Sequence, residues 1–496
     1  GVIAAYIEGF KDGRTLMLAA DHAARLGKPI VIVKVGRTDE GASMAQSHTG
    51  HLTGSDAVTS AVFRQFGVTR VDGLDELLEV SAALARTKPP KGDGVCVYAI
   101  SGGTGAHMAD MVAAAGLRLP PLTKATQRKL HEGLIPEYLR VSNPVDCGGP
   151  PVMTPAGREI LQLIVADPNV DIVICPITGA LEMMSAPLAR DLVAVSETTD
   201  KPIFVVWGSP VGTEPAYRDI LLPSNLPVFR TFANCVTAVR AYVDYHRFRS
   251  RYRSPFDDAP TTALPAAKRV RRLLADVAPG EALSEWQSKH VCKAYGIKTS
   301  KDELCESAAA AVRAAQSLGF PVVMKVSSPD LLHKSDAGLV RVGVHNAKEV
   351  RATYDELLAR ARRANRRARI EGVLVSEMVT GGVETLVGVS QDALFGQVVT
   401  VGLGGVFVEV LGDVVSRVPP FPAEEAERMV RELQGYRLLE GVRGAKPADI
   451  GALVDAIMKV QRLAMDLADD VQELDINPLV VRPRGAVALD ALIIRK

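Results

Sequence analysis

Several residues have the types and spacing for nucleophilic and phosphate-binding chemistry. His48 lies in Ser47-His48-Thr49-Gly50, within a polar stretch that follows an apolar run at 30–35. Glu8, in Tyr6-Ile7-Glu8-Gly9, follows the apolar run before it. Parallel α/β sheets bind ligands beyond the carboxyl ends of their strands, so these positions would aim an imidazole and a carboxylate into one crevice. A carboxylate on one ring nitrogen fixes the tautomer and leaves the other nucleophilic. Alone, the pair is a weak signal, because a loop histidine near a glutamate is more often surface decoration, and His51 is a rival three residues on. Two glycine loops, Ser101-Gly102-Gly103-Thr104-Gly105 and Ile177-Thr178-Gly179, each follow an apolar run and open a helical stretch. Bare N–H groups at a helix start hold phosphate, helped by the positive end of the dipole. Ordinary tight turns look the same, and neither G-x-G-x-x-G nor a Walker loop is present.

The last part of the chain has its own polar set. Lys325 closes the apolar run 319–325, where a lysine on a rigid strand could serve as a fixed counter-charge for phosphate. Asn477, in Asp475-Ile476-Asn477-Pro478-Leu479, and Asp490 offer oxygen ligands on neighbouring strands, which would suit Mg²⁺ bridging ATP phosphates. Glu377 ends the apolar run 372–377. His333, in His333-Lys334-Ser335-Asp336, belongs either to a surface loop or to a lid or second carrier. The arginines at 360–369 are expected on the solvated face of a helix anchored by Tyr354, Leu357 and Leu358.

The elements that must position these groups follow from the pattern. Apolar runs of five to eight residues alternate with helix-period stretches, which predicts βαβ units and a mostly parallel sheet. Strands are expected at 2–7, 30–35, 95–100, 171–176 and 202–207, and helices at 15–25, 55–66 and 107–115. Residues 246–280, rich in proline and arginine, are expected to form an exposed linker. A helix opens the last unit at 285–295. A length of 496 residues suggests about three domains. Fifty-eight basic against 57 acidic residues exclude nucleic-acid binding by bulk charge. No apolar run reaches the ~18 residues of a membrane span, and there is no signal-peptide pattern. Six cysteines lie far apart with no C-x-x-C pair, so free buried thiols in a reducing cytoplasm are expected.

Taken together, these segments resemble the ADP-forming acyl-CoA synthetases, the acid–CoA ligases related to succinyl-CoA synthetase. The motifs occur in the family's order: Tyr-Ile-Glu-Gly, Pro29-Ile-Val-Ile-Val-Lys-Val-Gly-Arg37, Ser-His-Thr-Gly, Ser-Gly-Gly-Thr-Gly and Asn143-Pro-Val-Asp-Cys-Gly148. The resemblance implies two flavodoxin-like parallel-sheet domains followed by an α+β ATP-grasp domain. Residues 1–88 would be part of the ligase domain that carries the phosphohistidine, 91–245 the second flavodoxin-like domain, 246–280 a linker and 281–496 the ATP-grasp domain.

It also implies a reaction. ATP phosphorylates a histidine, and an acyl phosphate then reacts with coenzyme A. By position, His48 matches that histidine and Glu8 the carboxylate that orients it at the acyl site. Asp475 stands where succinyl-CoA synthetases carry a glutamate at the ATP site. Lys325 matches a phosphate lysine, Glu377, Val379 and Glu384 nucleotide-binding positions, and Asn477 and Asp490 the metal side. His333 matches a second relay histidine of some members. The phosphate loops would be Ser101, Gly102, Gly103, Thr104, Gly105, Thr178 and Gly179. The partners implied are ATP, Mg²⁺, CoA and a carboxylic acid, with neither nucleic acid nor membrane. The family usually begins with a CoA-binding domain that this sequence lacks. A trimmed protein, a second copy or a partner chain supplying that piece is therefore expected. Two other readings stay open: an ATP-grasp ligase joining an acid to an amine without phosphohistidine, and a non-catalytic module that senses ATP and acyl-CoA.

Overall fold

The computed structural model describes residues 1–38, 40, 55–178, 182–208, 214–331, 334, 337–404, 412–442 and 444–496. His48, His51, His333 and Gly179 lie outside the described residues. The chain forms two compact units. The first takes Gly1–Gly9, Leu16–Gly50 and Phe66–Arg253, and the second Phe10–Thr15, His51–Gln65 and Ser254–Lys496. No described helix is long and apolar enough to cross a membrane.

The first unit holds two parallel sheets. β1 (Ile3–Ile7), β2 (Ile30–Lys34) and β3 (Thr69–Val71) pair in that order. β2 is central and largely buried, whereas β1 pairs on one side only among the described residues, with Ile3 and Tyr6 half exposed. The second sheet joins β4 (Val95–Ala99), β5 (Val145–Asp146), β6 (Ile172–Ile177), β7 (Ile203–Trp207) and β8 (Val228–Phe229) in the order β5-β4-β6-β7-β8. β4, β6 and β7 are buried at every residue. That is why they appear in the sequence as unbroken apolar runs rather than alternating ones: helices cover both faces of a parallel sheet. The helix Phe232–Arg251, capped by the Thr231 hydroxyl that accepts from Asn234 N, packs Tyr242 edge-on against Phe204 of β7.

The second unit is antiparallel. β9 (Asp302–Cys305), β10 (Val322–Ser327), β11 (Val340–Val344) and β12 (Gly372–Glu377) pair in the order β11-β10-β12-β9. Val322, Met324 and Val326 share a core with Tyr354 and Leu357 of the helix Ala347–Ala364. Side chains alternate along a strand, so Lys325 points to the opposite face. The larger sheet holds β13 (Val383–Asp392), β14 (Gly396–Leu403), β15 (Val414–Arg417), β16 (Val471–Val481), β17 (Ala486–Ala488) and β18 (Leu492–Arg495). Leu474 and Ile476 of β16 enter the core formed with the helix Ile450–Asp466, which turns Asp475 and Asn477 to the other face.

Two features depart from the sequence reading. The stretch 246–280 is not simply an exposed linker: the helix Phe232–Arg251 runs into it, and Pro265–Ala275 is a second helix. Ala266, Ala267, Val270 and Leu274 of that helix are buried in the second unit's core. Its arginines and lysine suggested exposure and masked this narrow apolar stripe. The other departure is that residues 10–15 and 51–65 group with the second unit although their sequence neighbours belong to the first. Gln65, at the end of the helix Asp56–Gln65, donates to Val418 O at 2.9 Å and Pro420 O at 3.1 Å and accepts from Val418 N at 3.3 Å. All six cysteines are free and buried. Burial pushes the Cys147 and Cys292 thiols up to about 12, which leaves them unreactive.

Candidate active site

The densest chemistry lies on the polar face of β10. Lys325 Nζ donates to Glu285 Oε1 at 2.8 Å, Leu489 O at 3.0 Å and Asp490 Oδ2 at 3.2 Å. Lys334 Nζ reaches the other oxygen of the same carboxylate, Glu285 Oε2, at 2.6 Å, and stands 3.7 Å from Asp490 Oδ1. A third ammonium, Lys289 Nζ, lies 3.0 Å from Glu285 Oε1 and 3.1 Å from Asp302 Oδ2, and donates to Ser300 Oγ at 3.1 Å. Glu285 is the first residue of the helix Glu285–Ala294, with Lys289 one turn on. A capping box fixes that start, the Ser284 hydroxyl accepting from Gln287 N and the Gln287 side chain from Ser284 N.

Charge balance explains how so many ions share a buried place. Glu285, Asp302 and Asp490 face Lys289, Lys325 and Lys334. Burial alone would raise the Glu285 carboxyl, but Lys325, Lys334 and Lys289 outweigh it and hold it far below the usual carboxylate range. Burial would likewise lower the Lys325 ammonium, and Glu285 and Asp490 reverse this. Lys325 is therefore held as an ammonium, and its side chain and that of Lys334 are each 10% exposed beside the Asp490 carboxylate.

Asp475 adjoins this cluster. Burial, then the charges of Glu473 and Asp490, raise its carboxyl to about 6, against a hydrogen bond with Asn477. Asp475, Asn477 and Asp490 thus form one oxygen-bearing patch next to two ammonium groups. No set of three or more His, Cys, Asp or Glu side chains placed to hold a metal occurs among the described residues. The patch nevertheless fits Mg²⁺, a hard cation usually bound through one or two carboxylates with substrate phosphates and water completing its shell.

The structure does not draw every sequence-predicted residue into this cluster. The Glu377 carboxylate accepts from Lys301 N at 2.9 Å and so ties the end of β12 to the residue before β9. Val379 is half-buried just beyond β12, and Glu384 is exposed on β13 opposite Val480. The sequence reading missed Glu285, Lys289 and Lys334. The signal was the Glu/Lys pair spaced by four at a helix start, and the lysine beside His333.

In the first unit, Thr104 and Thr178 bring the two glycine loops together, their hydroxyl oxygens 3.0 Å apart. The helix Gly102–Ala114 starts at Ser101 with no side-chain cap. Gly105 N already bonds to Ser101 O, so the N–H groups of Gly102, Gly103 and Thr104 have no partner within the helix. A Cβ on Gly102 would come within 2.8 Å of Asp146 Oδ2, so a larger residue there would have to push that carboxylate aside. Glu8 is half-buried, and its backbone carbonyl accepts from the buried Lys34 Nζ at 3.0 Å.

Comparison with known proteins adds the family. Residues 275–494 match the ATP-grasp domain and residues 1–84 the succinyl-CoA ligase-like flavodoxin domain. The chain is 33% identical over 489 residues to the 4-hydroxybutyrate–CoA ligase [ADP-forming] of Nitrosopumilus maritimus, a match covering 98% of this chain and 68% of that one. It is 35% identical over 490 residues to the acetate–CoA ligase [ADP-forming] I of Archaeoglobus fulgidus, covering 99% and 69%. The beta subunit of acetate–CoA ligase [ADP-forming] II of Pyrococcus furiosus is 41% identical over 217 residues, covering 43% of this chain and 92% of that one. With two flavodoxin-like parallel-sheet regions followed by an ATP-grasp region, and near full-length identity of this order, the chain belongs to the family of ADP-forming acid–CoA ligases.

Proposed function

We propose that the chain uses ATP and Mg²⁺ to join a carboxylic acid to coenzyme A, releasing ADP and phosphate, by way of a phosphohistidine at His48. The observation that carries this reading is the identity along 98–99% of the chain to ligases of this type. Lys325 holds phosphate oxygens of the nucleotide, and Lys334 stands beside it with the same chemistry. Asp490 and Asn477 are the side chains that would ligate Mg²⁺, which when bound offsets the charge on the phosphates. Glu377, Val379 and Glu384 take the nucleoside end. Asp475 receives the His48 ring at the nucleotide and Glu8 at the acyl group, each accepting a ring N–H so that the opposite nitrogen faces phosphorus. The first-turn N–H groups at Ser101–Gly105, with Thr104, Thr178 and Gly179, bind the transferred phosphoryl oxygens. His333 is a second relay for the same group.

In this division residues 1–88 carry the histidine, 91–245 the phosphate loops and 281–496 the nucleotide. About one-third of the length of each of the two full-length relatives lies outside the match, and a third relative is a separate subunit. We therefore assign coenzyme A binding to a segment, second copy or partner chain outside residues 1–496, with the reaction in the cytoplasm.

The test is incubation with γ-labelled ATP and Mg²⁺. Acid-labile, alkali-stable label should appear on the wild-type chain at His48 and be missing from that position in His48→Ala, whose total label should fall to what His333 alone holds. Label of the same kind and amount on His48→Ala removes the carrier from the scheme.

A further inference from the structure

We propose that Glu285 is a positioning residue that spaces two ammonium groups, Lys325 and Lys334, so that both face the phosphates of a bound nucleotide. This rests on reading the β10 face as a nucleotide site, and it adds Lys334 as a second phosphate contact.

The argument is geometric. The two oxygens of one carboxylate are divided between the two lysines, Oε1 to Lys325 at 2.8 Å and Oε2 to Lys334 at 2.6 Å. A carboxylate is rigid and planar, so it sets the distance between the two cations as well as neutralising them. Glu285 cannot move aside. It is 1% exposed, it sits in the first turn of a capped helix, and Lys289, itself fully buried, pins Oε1 from behind. Lys325 is further fixed by Leu489 O on the segment that carries Asp490. Lys325 places its three N–H groups on Glu285, Leu489 O and Asp490, and Lys334 one of its own on Glu285, so both ammonium groups border the Asp490 carboxylate, whose place as acceptor a bound phosphate oxygen would take, next to Asp475 and Asn477. Glu285 therefore stands behind the two ammonium groups and the oxygen patch in front of them. Without its charge, three buried cations would crowd one place. An amide in its stead presents one N–H₂ to a lysine and repels it, so the pair cannot be held as it is.

The readout is phosphate-dependent affinity. Calorimetry with ADP and with adenosine, each with Mg²⁺, separates the phosphate contribution from that of the base. Glu285→Gln is expected to weaken ADP by about tenfold or more, the scale of one charge-assisted contact, and to leave adenosine unchanged. Glu285→Asp keeps the charge but is one methylene shorter, so it folds as an ion cluster and should lose ADP selectively to a smaller extent. Equal weakening of ADP and adenosine in both variants would mean a merely structural role, and unchanged or tighter ADP in both would also overturn the proposal. Lys325→Met and Lys334→Met separate the two levels. If both leave ADP affinity unchanged, the nucleotide reading of this face fails. If both weaken ADP while the Glu285 variants do not, only the positioning role fails.

Discussion

Asp475 shows how a position proposed for the nucleotide site opposes stability. Its carboxyl is raised to about 6 by burial and by neighbouring carboxylates, against an ordinary 3.8. A carboxyl whose folded value is raised makes the ionised form costly in the folded state. The cost is absent below pH 3.8, grows as pH rises to about 6, and is constant above that. Asp475→Asn should therefore unfold at a higher temperature than wild type at pH 7.5, by a difference of at most about 3 kcal/mol. The gap should shrink towards zero near pH 4, and thermal scans at several pH values measure it. A gap that does not change with pH would contradict the burial argument. Such residues were only partly legible. Asp475, Asn477 and Asp490 stood out because acids and amides interrupt apolar strands. Glu285 did not, because a glutamate in a first helical turn is an ordinary favourable choice there and its second use depends on lysines 40 and 49 residues away.

At the scale of elements, alternation decides most placements. Lys325 sits within β10 rather than at its end, and the core requirement on Val322, Met324 and Val326 turns it to the opposite, polar face. The buried strands β4, β6 and β7 were legible as apolar runs with glycine loops after two of them. The helix Pro265–Ala275 was not, because a proline-rich neighbourhood and four basic residues obscured four small or aliphatic positions on one side. The helix Phe232–Arg251 carries a titration of its own. His246 packs edge-on to Tyr242 and Tyr245, with ring centroids 4.6 and 5.3 Å away. Burial, and then the Arg249 charge, lower it to about 4. A base lowered on folding must be neutral to stay in place. Its contribution to stability is complete above pH 6.5 and is lost as pH falls from there towards 4. His246→Gln should flatten the loss of stability over this window in denaturant titrations. An unaltered slope would place the acid sensitivity elsewhere.

For the whole molecule, the order of domains was legible because five short motifs between Tyr6 and Gly148 mark the two parallel-sheet regions and the polar set from Lys325 to Asp490 marks the last. The grouping of chain segments was not. Nothing near residues 10–15 or 51–65 announces that they join the second unit. That depends on partners such as Val418 and Pro420, some 350 residues away. His48 lies between β2, which belongs to the first unit, and the helix Asp56–Gln65, which belongs to the second.

The rim of the smaller parallel sheet has a practical consequence. β1 pairs with β2 on one side only among the described residues, and Ile3 and Tyr6 stay about half exposed. In a polypeptide made of residues 1–496 alone, amide and carbonyl groups on that side next to greasy side chains invite another copy to dock alongside. Purified material should therefore grow in apparent mass with rising concentration during sedimentation. Tyr6→Lys should suppress that growth, because a charge on such a border repels a like neighbour. If the variant associates as readily as its parent, the border is not what brings molecules together.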